Sequence, residues 1–384
     1  MARWISIAGT GAFWHAKYMS ELMQGPPGPE ILVGDRRLLY FGGTGYLGLQ
    51  SHPSVLEAAM AGLRDYGMGS ATSRRGFGSN QLLVEVEASA ARFYGAEDAL
   101  YFPTGYFGTA ILLEGMSEPG VRLFVDEHAH FSVADAARGS GRPMHTFRHL
   151  DPDDLGRQLK GSLRAGEQAW VMTDGVFSVT GDVAPLAAYS SLLQAYPGSR
   201  MLVDDAHGLG VLGEQGRGTC EHLDVSGSGV QIAATLSKAM GGYGGIIPGC
   251  RDMVHNLRSH SRIYGGTNPL PAPVAAASKA GLEIARSTPA LRASLRFNAS
   301  RLREGLARMG LPVAAGPVPV AALRLGSAAQ MQELHAALRA DGILAPYLSG
   351  YCGAGPEGVL RIAVFATHTA AMVDRLLEAL RGRV

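Results

Sequence analysis

The stretch Thr235-Leu236-Ser237-Lys238-Ala239-Met240-Gly241-Gly242 sets a lysine just beyond an apolar run at 231–234, with hydroxyls ahead of it and glycines behind. A lysine that must act as a free amine has to shed its proton near neutral pH, and burial lowers its pKa. Thr235 and Ser237 supply hydroxyl donors, and the glycines let the backbone come close to a ligand. The same pattern also suits a lysine that closes a Gly-rich turn, so the neighbouring motifs have to decide. Only Lys17, Lys160, Lys238 and Lys279 occur in the chain, which leaves few candidates for amine chemistry.

Some thirty residues upstream, Met201-Leu202-Val203-Asp204-Asp205-Ala206-His207-Gly208 reads as a buried strand that ends in carboxylates. Such an end lies at the edge of the sheet where α/β folds bind ligands. A pyridoxal 5'-phosphate (PLP) ring needs one buried acid to keep its pyridine nitrogen protonated, because that charge makes the ring an electron sink. Asp204 suits this task and His207 suits a bond to the ring's phenolic oxygen, whereas Asp205 suits a helix cap. The alternative for the whole segment is a cap plus a surface histidine. Phe102-Pro103-Thr104-Gly105-Tyr106-Phe107-Gly108 comes after another apolar run and opens a helical pattern, a place for a phosphate or for an ordinary strand–helix turn. Asp126-Glu127-His128-Ala129-His130-Phe131-Ser132 offers His130 as a ring to stack on a cofactor face. A core histidine or a His-x-His metal pair are its other readings, though no third ligand lies nearby.

Apolar runs at 99–102, 123–125, 169–173, 201–203 and 231–234 alternate with helical patterns at 81–93 and 186–195. Short buried strands separated by helices predict a largely parallel sheet covered on both faces. After the proline cluster at 269–273 the pattern becomes helices at 274–286 and 290–309, a strand at 320–325, a helix at 329–340, a strand at 359–365 and a last helix at 369–381. The expected organisation is an N-terminal arm (1–37) with an amphipathic stretch at 14–23, a large domain (38–275) and a smaller C-terminal α+β domain (276–384). Gly43-Thr44-Gly45-Tyr46-Leu47-Gly48 fits a dinucleotide-binding pattern, but no βαβ unit surrounds it and it reads as a turn.

With 384 residues, 17% charged and 46% hydrophobic, the chain has the profile of a globular protein of two or three structural units. A net charge of +1 gives no electrostatic reason for nucleic acid or a membrane surface. Cys220, Cys250 and Cys352 are scattered and read as reduced thiols. Residues 1–13 lack the pattern of a signal peptide, and no apolar run is long enough to span a bilayer, so a cytoplasmic protein is expected.

A Gly-rich helix start, a histidine, an aspartate and a lysine in this order resemble the fold-type I PLP enzymes, which have an aspartate-aminotransferase-like α/β fold. More narrowly, the chain resembles the α-oxoamine synthase family from about residue 41 to 380. The resemblance rests on Tyr46-Leu47-Gly48-Leu49 with His52-Pro53, on Gly69 to Arg74 with Glu87, on the run from Asp174 through Ser178 to Leu186, and on Leu360-Arg361-Ile362 with Thr367-His368-Thr369. It implies that Lys238 carries the cofactor as a Schiff base and that Asp204 pairs with the pyridine nitrogen. His130 then stacks on the ring, Ser178 and His207 lie near the phenolic oxygen, and Thr104, Gly105, Tyr106 and Thr235 hold the phosphate. Thr267 would reach the phosphate of a neighbouring subunit in a homodimer with shared sites, and Arg361 would grip the amino acid's carboxylate.

Several substrate-side residues depart from the family. Thr44 stands where asparagine is usual, close to the substrate carboxylate. Thr109 also replaces asparagine, Asp174 replaces glutamate, and Tyr264-Gly265-Gly266-Thr267-Asn268-Pro269 reshapes the wall where an acyl donor would enter. The resemblance implies decarboxylative Claisen-type condensation of an α-amino acid with an acyl thioester, on CoA or a carrier protein, to an α-aminoketone. Aminotransfer or another reaction at Cα of an unusual amino acid is the alternative, and a degenerate scaffold subunit is a third reading. Arginines near the N-terminus and at 251–262 would suit an acyl carrier protein, or simply a solvated face.

Overall fold

The computed structural model describes residues 22–116, 118–227, 229–313 and 316–384. All but the last two residues of the amphipathic stretch at 14–23, and with them more than half of the arm, lie outside the described residues. The rest of the arm runs into the large domain as an antiparallel set of strands, β1 (Met23–Gln24), β2 (Glu30–Val33) and β3 (Arg36–Tyr40).

The main sheet has seven strands: β4 (Asp98–Phe102), β5 (Val121–Asp126), β6 (Met144–Phe147), β7 (Gln168–Asp174), β8 (Arg200–Asp204), β9 (Val230–Thr235) and β10 (Gly245–Gly249), in the order β4-β10-β9-β8-β7-β5-β6. Strands β6, β5, β7, β8 and β9 are parallel, and only β10 runs against its neighbours. The parallel strands are apolar on both faces because helices cover both, and β7 is buried from Ala169 to Asp174. Trp170 at its centre is fully enclosed, so truncation to alanine would cost about 3–5 kcal/mol. Local signals set the helix ends. Asn80 Oδ1 accepts from Leu83 N at 3.1 Å to start the helix Gln81–Tyr94, and Thr369 caps the last helix, Ala370–Arg381.

The C-terminal part holds β11 (Val320–Leu323), β12 (Ile343–Leu344), β13 (Tyr347–Leu348) and β14 (Val359–Ala363). A three-stranded sheet runs β11-β14-β13, while β12 pairs in parallel with β3. Residues 23–40 therefore share a sheet with residues 343–344. The mixed α/β architecture, with a large mainly parallel sheet and a smaller C-terminal part, is the predicted one.

Two strands of the main sheet were not legible beforehand. Gly245-Ile246-Ile247-Pro248-Gly249 carries glycines and a proline that argue against a strand inside a sheet. The proline is tolerated because β10 pairs with β9 only at Gly245 and Ile246, before Pro248 is reached. Strand β6 is a partly exposed edge without a clean apolar run.

Candidate active site

The parallel strands deliver their last residues to one edge of the sheet. Asp126, Asp174, Asp204 and Thr235 end β5, β7, β8 and β9, and Asp174 stands opposite Asp204 in register. A cavity of about 220 Å³ opens there, lined by Thr104, Gly105, Tyr106, His130, Asp204, Thr235 and Lys238 among others. A second, of about 290 Å³, adjoins it through His130, His207 and Lys238, and is walled by Thr44, Ser178, Tyr351 and Arg361. The turn at 43–48 supplies this wall, with no dinucleotide-type helix behind it.

Lys238 is partly buried, with Nζ 2.9 Å from His207 Nε2. His207 Nδ1 lies 2.7 Å from the hydroxyl of buried Tyr46, which in turn accepts from Arg361 Nη2 at 3.2 Å. When Lys238 is an ammonium it donates to Nε2, and Nδ1–H donates to Tyr46. When it is a free amine, the hydrogens run the other way and Nε2–H donates to Nζ. The direction of the chain thus follows the charge on Lys238, and in the ammonium form the Tyr46 oxygen accepts from both His207 and Arg361. Burial lowers the amine, the carboxylates of Asp204 and Asp174 raise it, Arg361 lowers it, and the outcome is about 8. His207 sits well below its usual range through burial and the neighbouring Lys238 and Arg361 charges.

Asp204 accepts from Ala206 N at 3.1 Å, and Ser132 Oγ lies 3.3 Å from it. Beside it Asp174 is fully enclosed and accepts from His130 N at 3.0 Å. Burial first, then the Asp204 charge, holds Asp174 well above the ordinary carboxyl range. Asp205 is not a helix cap. No helix directly follows it in the chain, and its buried carboxylate accepts from Thr219 N at 2.8 Å and Thr219 Oγ1 at 2.6 Å, bracing two turns together. Burial pushes Asp205 up to about 6.

His130 ends the turn after β5 and caps the helix Phe131–Gly139, its Nδ1 accepting from Ser132 N at 3.2 Å. Arg361 donates Nε–H to Ser178 O at 2.7 Å and Nη1–H to Gly43 O at 2.9 Å. Together with the bond to Tyr46 this uses three of its five N–H groups, leaving one on each terminal nitrogen. Thr235 Oγ1 and Ser237 Oγ are 2.7 Å apart. A side chain at position 105 would bring its Cβ within 2.7 Å of Thr235 Cβ, so only glycine keeps that corner open.

These residues fit PLP. The hydroxyls of Thr104, Thr235 and Ser237 flank the Gly105 corner where a phosphate would sit. Asp204 is an acid on one wall and His130 a ring on another, and Lys238 is the amine between them. Ser178 Oγ is buried with no hydrogen-bond partner, an orphan that a ring oxygen would satisfy. Thr267 is the one anticipated residue outside both cavities, and its hydroxyl donates to Ile263 O at 2.8 Å. Gly69 to Arg74 with Glu87 is structural, since Arg74 grips Glu87 through two bonds of 2.6 and 3.1 Å. Among the described residues no cluster has the make-up of a metal centre, and no helix is long and apolar enough to cross a membrane.

Sequence reasoning missed Tyr46, Ser132 and Tyr351 as parts of the site. It put Asp174 on the substrate side, whereas Asp174 lines the first cavity and ends its strand just as Asp204 does. Tyr351 carried no signal, since it sits in a Gly-rich connection.

The aminotransferase class I and II family model matches residues 38–380. The 8-amino-7-oxononanoate synthase of Thioalkalivibrio sulfidiphilus is 36% identical, over 94% of this chain and 91% of its own length. That of Stutzerimonas stutzeri is also 36% identical, with 94% and 91% covered. Among solved structures, a serine palmitoyltransferase from S. paucimobilis with a bound PLP–myriocin aldimine superposes with a TM-score of 0.89 at 26% identity, covering 94% of this chain and 91% of that one.

Proposed function

Because the chain belongs to the aminotransferase class I and II family and, within it, to the α-oxoamine synthases, we propose that it condenses an α-amino acid with an acyl thioester, releasing CO2 and a thiol and forming an α-aminoketone. The product named for its relatives, 8-amino-7-oxononanoate, is itself such a compound, with amine and ketone on adjacent carbons. The enzyme is a PLP-dependent transferase, and the bound cofactor supplies a sink for negative charge at the amino acid's Cα.

The observation that carries this reading is the buried Lys238 amine between the Asp204 carboxylate and an arginine-walled second cavity. Lys238 holds the cofactor at rest and takes the Cα proton as general base once the amino acid is in place. The hydrogen-bond chain through His207 and Tyr46 reverses its hydrogens as Lys238 passes between ammonium and amine. Asp204 would hold the ring nitrogen, His130 would cover one ring face, and Ser178 and His207 would serve the ring oxygen. Thr104, Gly105, Tyr106 and Thr235 take the phosphate. The two remaining N–H groups of Arg361 match a carboxylate fork, with Thr44 beside it. Thr267, turned away from its own cavities, suits the phosphate of a partner copy in a homodimer. Residues 38–275 then serve as the cofactor domain, and 276–384 close the substrate side.

The acyl group's handle is CoA or a carrier protein. Of the basic run at 251–262, Arg258 is tied to Asp98 and Arg262 to Glu114, which favours a structural use of those charges over a docking one.

The test is to incubate the PLP-loaded protein with carboxyl-labelled amino acids and a panel of acyl thioesters. Condensation releases labelled CO2 and free thiol in equal amounts. A 2-oxo acid formed without thiol would replace this reading with aminotransfer.

A further inference from the structure

We propose that Tyr351 is a catalytic donor: its phenolic hydrogen bonds the carbonyl oxygen of the acyl thioester as the new carbon–carbon bond forms. The inference rests on the condensation reading above and deepens it.

The tautomer of His130 carries the argument. A backbone N–H can only donate, and Ser132 N points at His130 Nδ1 from 3.2 Å. Ser132 Oγ lies 2.7 Å from that nitrogen, nearer than to Asp204 at 3.3 Å, and gives its one hydrogen there. Nδ1 is therefore the acceptor of the ring. Burial, ahead of the opposing Asp204 charge, holds His130 below its usual range, so the ring is neutral and its one hydrogen is on Nε2. Nε2–H then donates to the Tyr351 oxygen at 2.9 Å. The phenol accepts from the histidine, and its own hydrogen has no acceptor among the described residues. Burial raises the phenol above its ordinary pKa, which keeps that hydrogen in place.

The donor is also held in position. Its ring meets Phe131 edge to face, with centroids 5.1 Å apart. The next residue, Cys352, has φ +28°, a left-handed backbone unusual for a residue with a side chain. At Gly353 an added Cβ would come within 2.9 Å of His128 Nδ1, so the turn lies directly against the segment that leads to His130. The phenol thus faces the cavity shared by Lys238, Thr44 and Arg361.

In the reaction the Cα of the amino acid, after its proton has gone to Lys238, attacks the thioester carbonyl carbon. The π pair of the C=O bond moves onto oxygen, where the Tyr351 O–H holds it. When that pair returns, the C–S bond breaks and the thiolate leaves with the sulfur electrons. Loss of the carboxylate as CO2 returns an electron pair to Cα, which takes up a proton. Tyr351 keeps its hydrogen throughout.

The test uses Tyr351→Phe in the PLP-loaded enzyme, with two readouts: thiol release on condensation, and exchange of the amino acid's Cα hydrogen with solvent in the absence of thioester. Losing one oxyanion donor should lower condensation roughly 100-fold while exchange stays within about twofold. Unchanged condensation overturns the inference. So does a matched fall in both rates, which would make Tyr351 a support for His130 only. Either result leaves the condensation reading standing. A wild-type enzyme that exchanges Cα hydrogen but releases no thiol from any thioester overturns that reading, and this inference with it.

Discussion

The two adjoining cavities are built by different means. The cofactor side is made of residues that end parallel strands or directly follow them, so backbone register places them. The substrate side is made of Thr44, Tyr46, Tyr351 and Arg361, which come from connections and from β14, more than three hundred residues apart at the extremes. One wall belongs to the sheet, and the other is assembled across the length of the chain. Of the departures from the family pattern, Thr44 stands on the assembled wall, whereas Asp174 ends a strand of the sheet-built one.

The largest expected effect breaks both sides at once. Lys238→Ala should lower turnover roughly 10⁴-fold or more and abolish the visible absorption of lysine-bound cofactor. Within the cofactor side, Asp204→Asn and Asp174→Asn separate the paired strand ends. The first removes the acid facing the ring and should cost about 100-fold or more in kcat. The second replaces a carboxyl that burial and the Asp204 charge hold well above its ordinary range, and should cost less than about tenfold. Equal losses would mean that the two act as one unit. On the substrate side, Arg361→Lys removes the fork and should raise KM for the amino acid about 10- to 100-fold, with cofactor absorption unchanged.

Protonation gives smaller effects. With Lys238 at about 8 in the cofactor-free protein, only the free amine attacks the aldehyde. Uptake of PLP should rise about tenfold between pH 7 and pH 9 and level off above that. A flat profile would remove the amine from control of this step.

His149 connects the two sides. Its Nδ1 is 2.9 Å from Asp126 at the end of β5, and Nε2 is 3.8 Å from Asp182, an ion pair too long for a hydrogen bond, in the loop that carries Ser178. Burial lowers this histidine, but the two carboxylates outweigh it and hold it at about 9. A folded pKa raised above the ordinary 6.5 stabilises fully below pH 6.5, and the gain is lost as pH rises through about 9. His149→Gln should destabilise by an order of 2 kcal/mol at pH 6 and by much less at pH 9.5. Denaturant melts at the two pH values would check this, and pH-independent destabilisation would sink it.

The same contrast explains what could be read beforehand. Lys238, Asp204, Thr235 and Thr104 each sit just after an apolar run, and an apolar run is what a sequence displays most plainly. Asp174 obeyed the same rule but was placed on the substrate side, its strand having been read only as far as residue 173. Tyr46 was noticed as part of a motif, yet its bond to His207 spans 161 positions and no local pattern encodes it. Tyr351 lies among glycines whose sequence says turn without saying where the turn points. Pro248 hid β10, since what permits it there is the early end of the pairing with β9, a property of the assembled sheet.

The join between the N-terminal strands and the C-terminal part has a mechanical corollary. Phe41 N donates to Leu344 O at 2.9 Å, and Phe41 O accepts from Ala363 N at 2.7 Å. Residues 41–44 are thereby laced to the strands on either side of Tyr351 and next to Arg361. If residues 343–363 swing relative to β5–β9, Thr44 has to travel with them. The substrate wall would then shift like a hinged panel, with the carboxylate fork and the phenol keeping their spacing whether the entrance is wide or narrow.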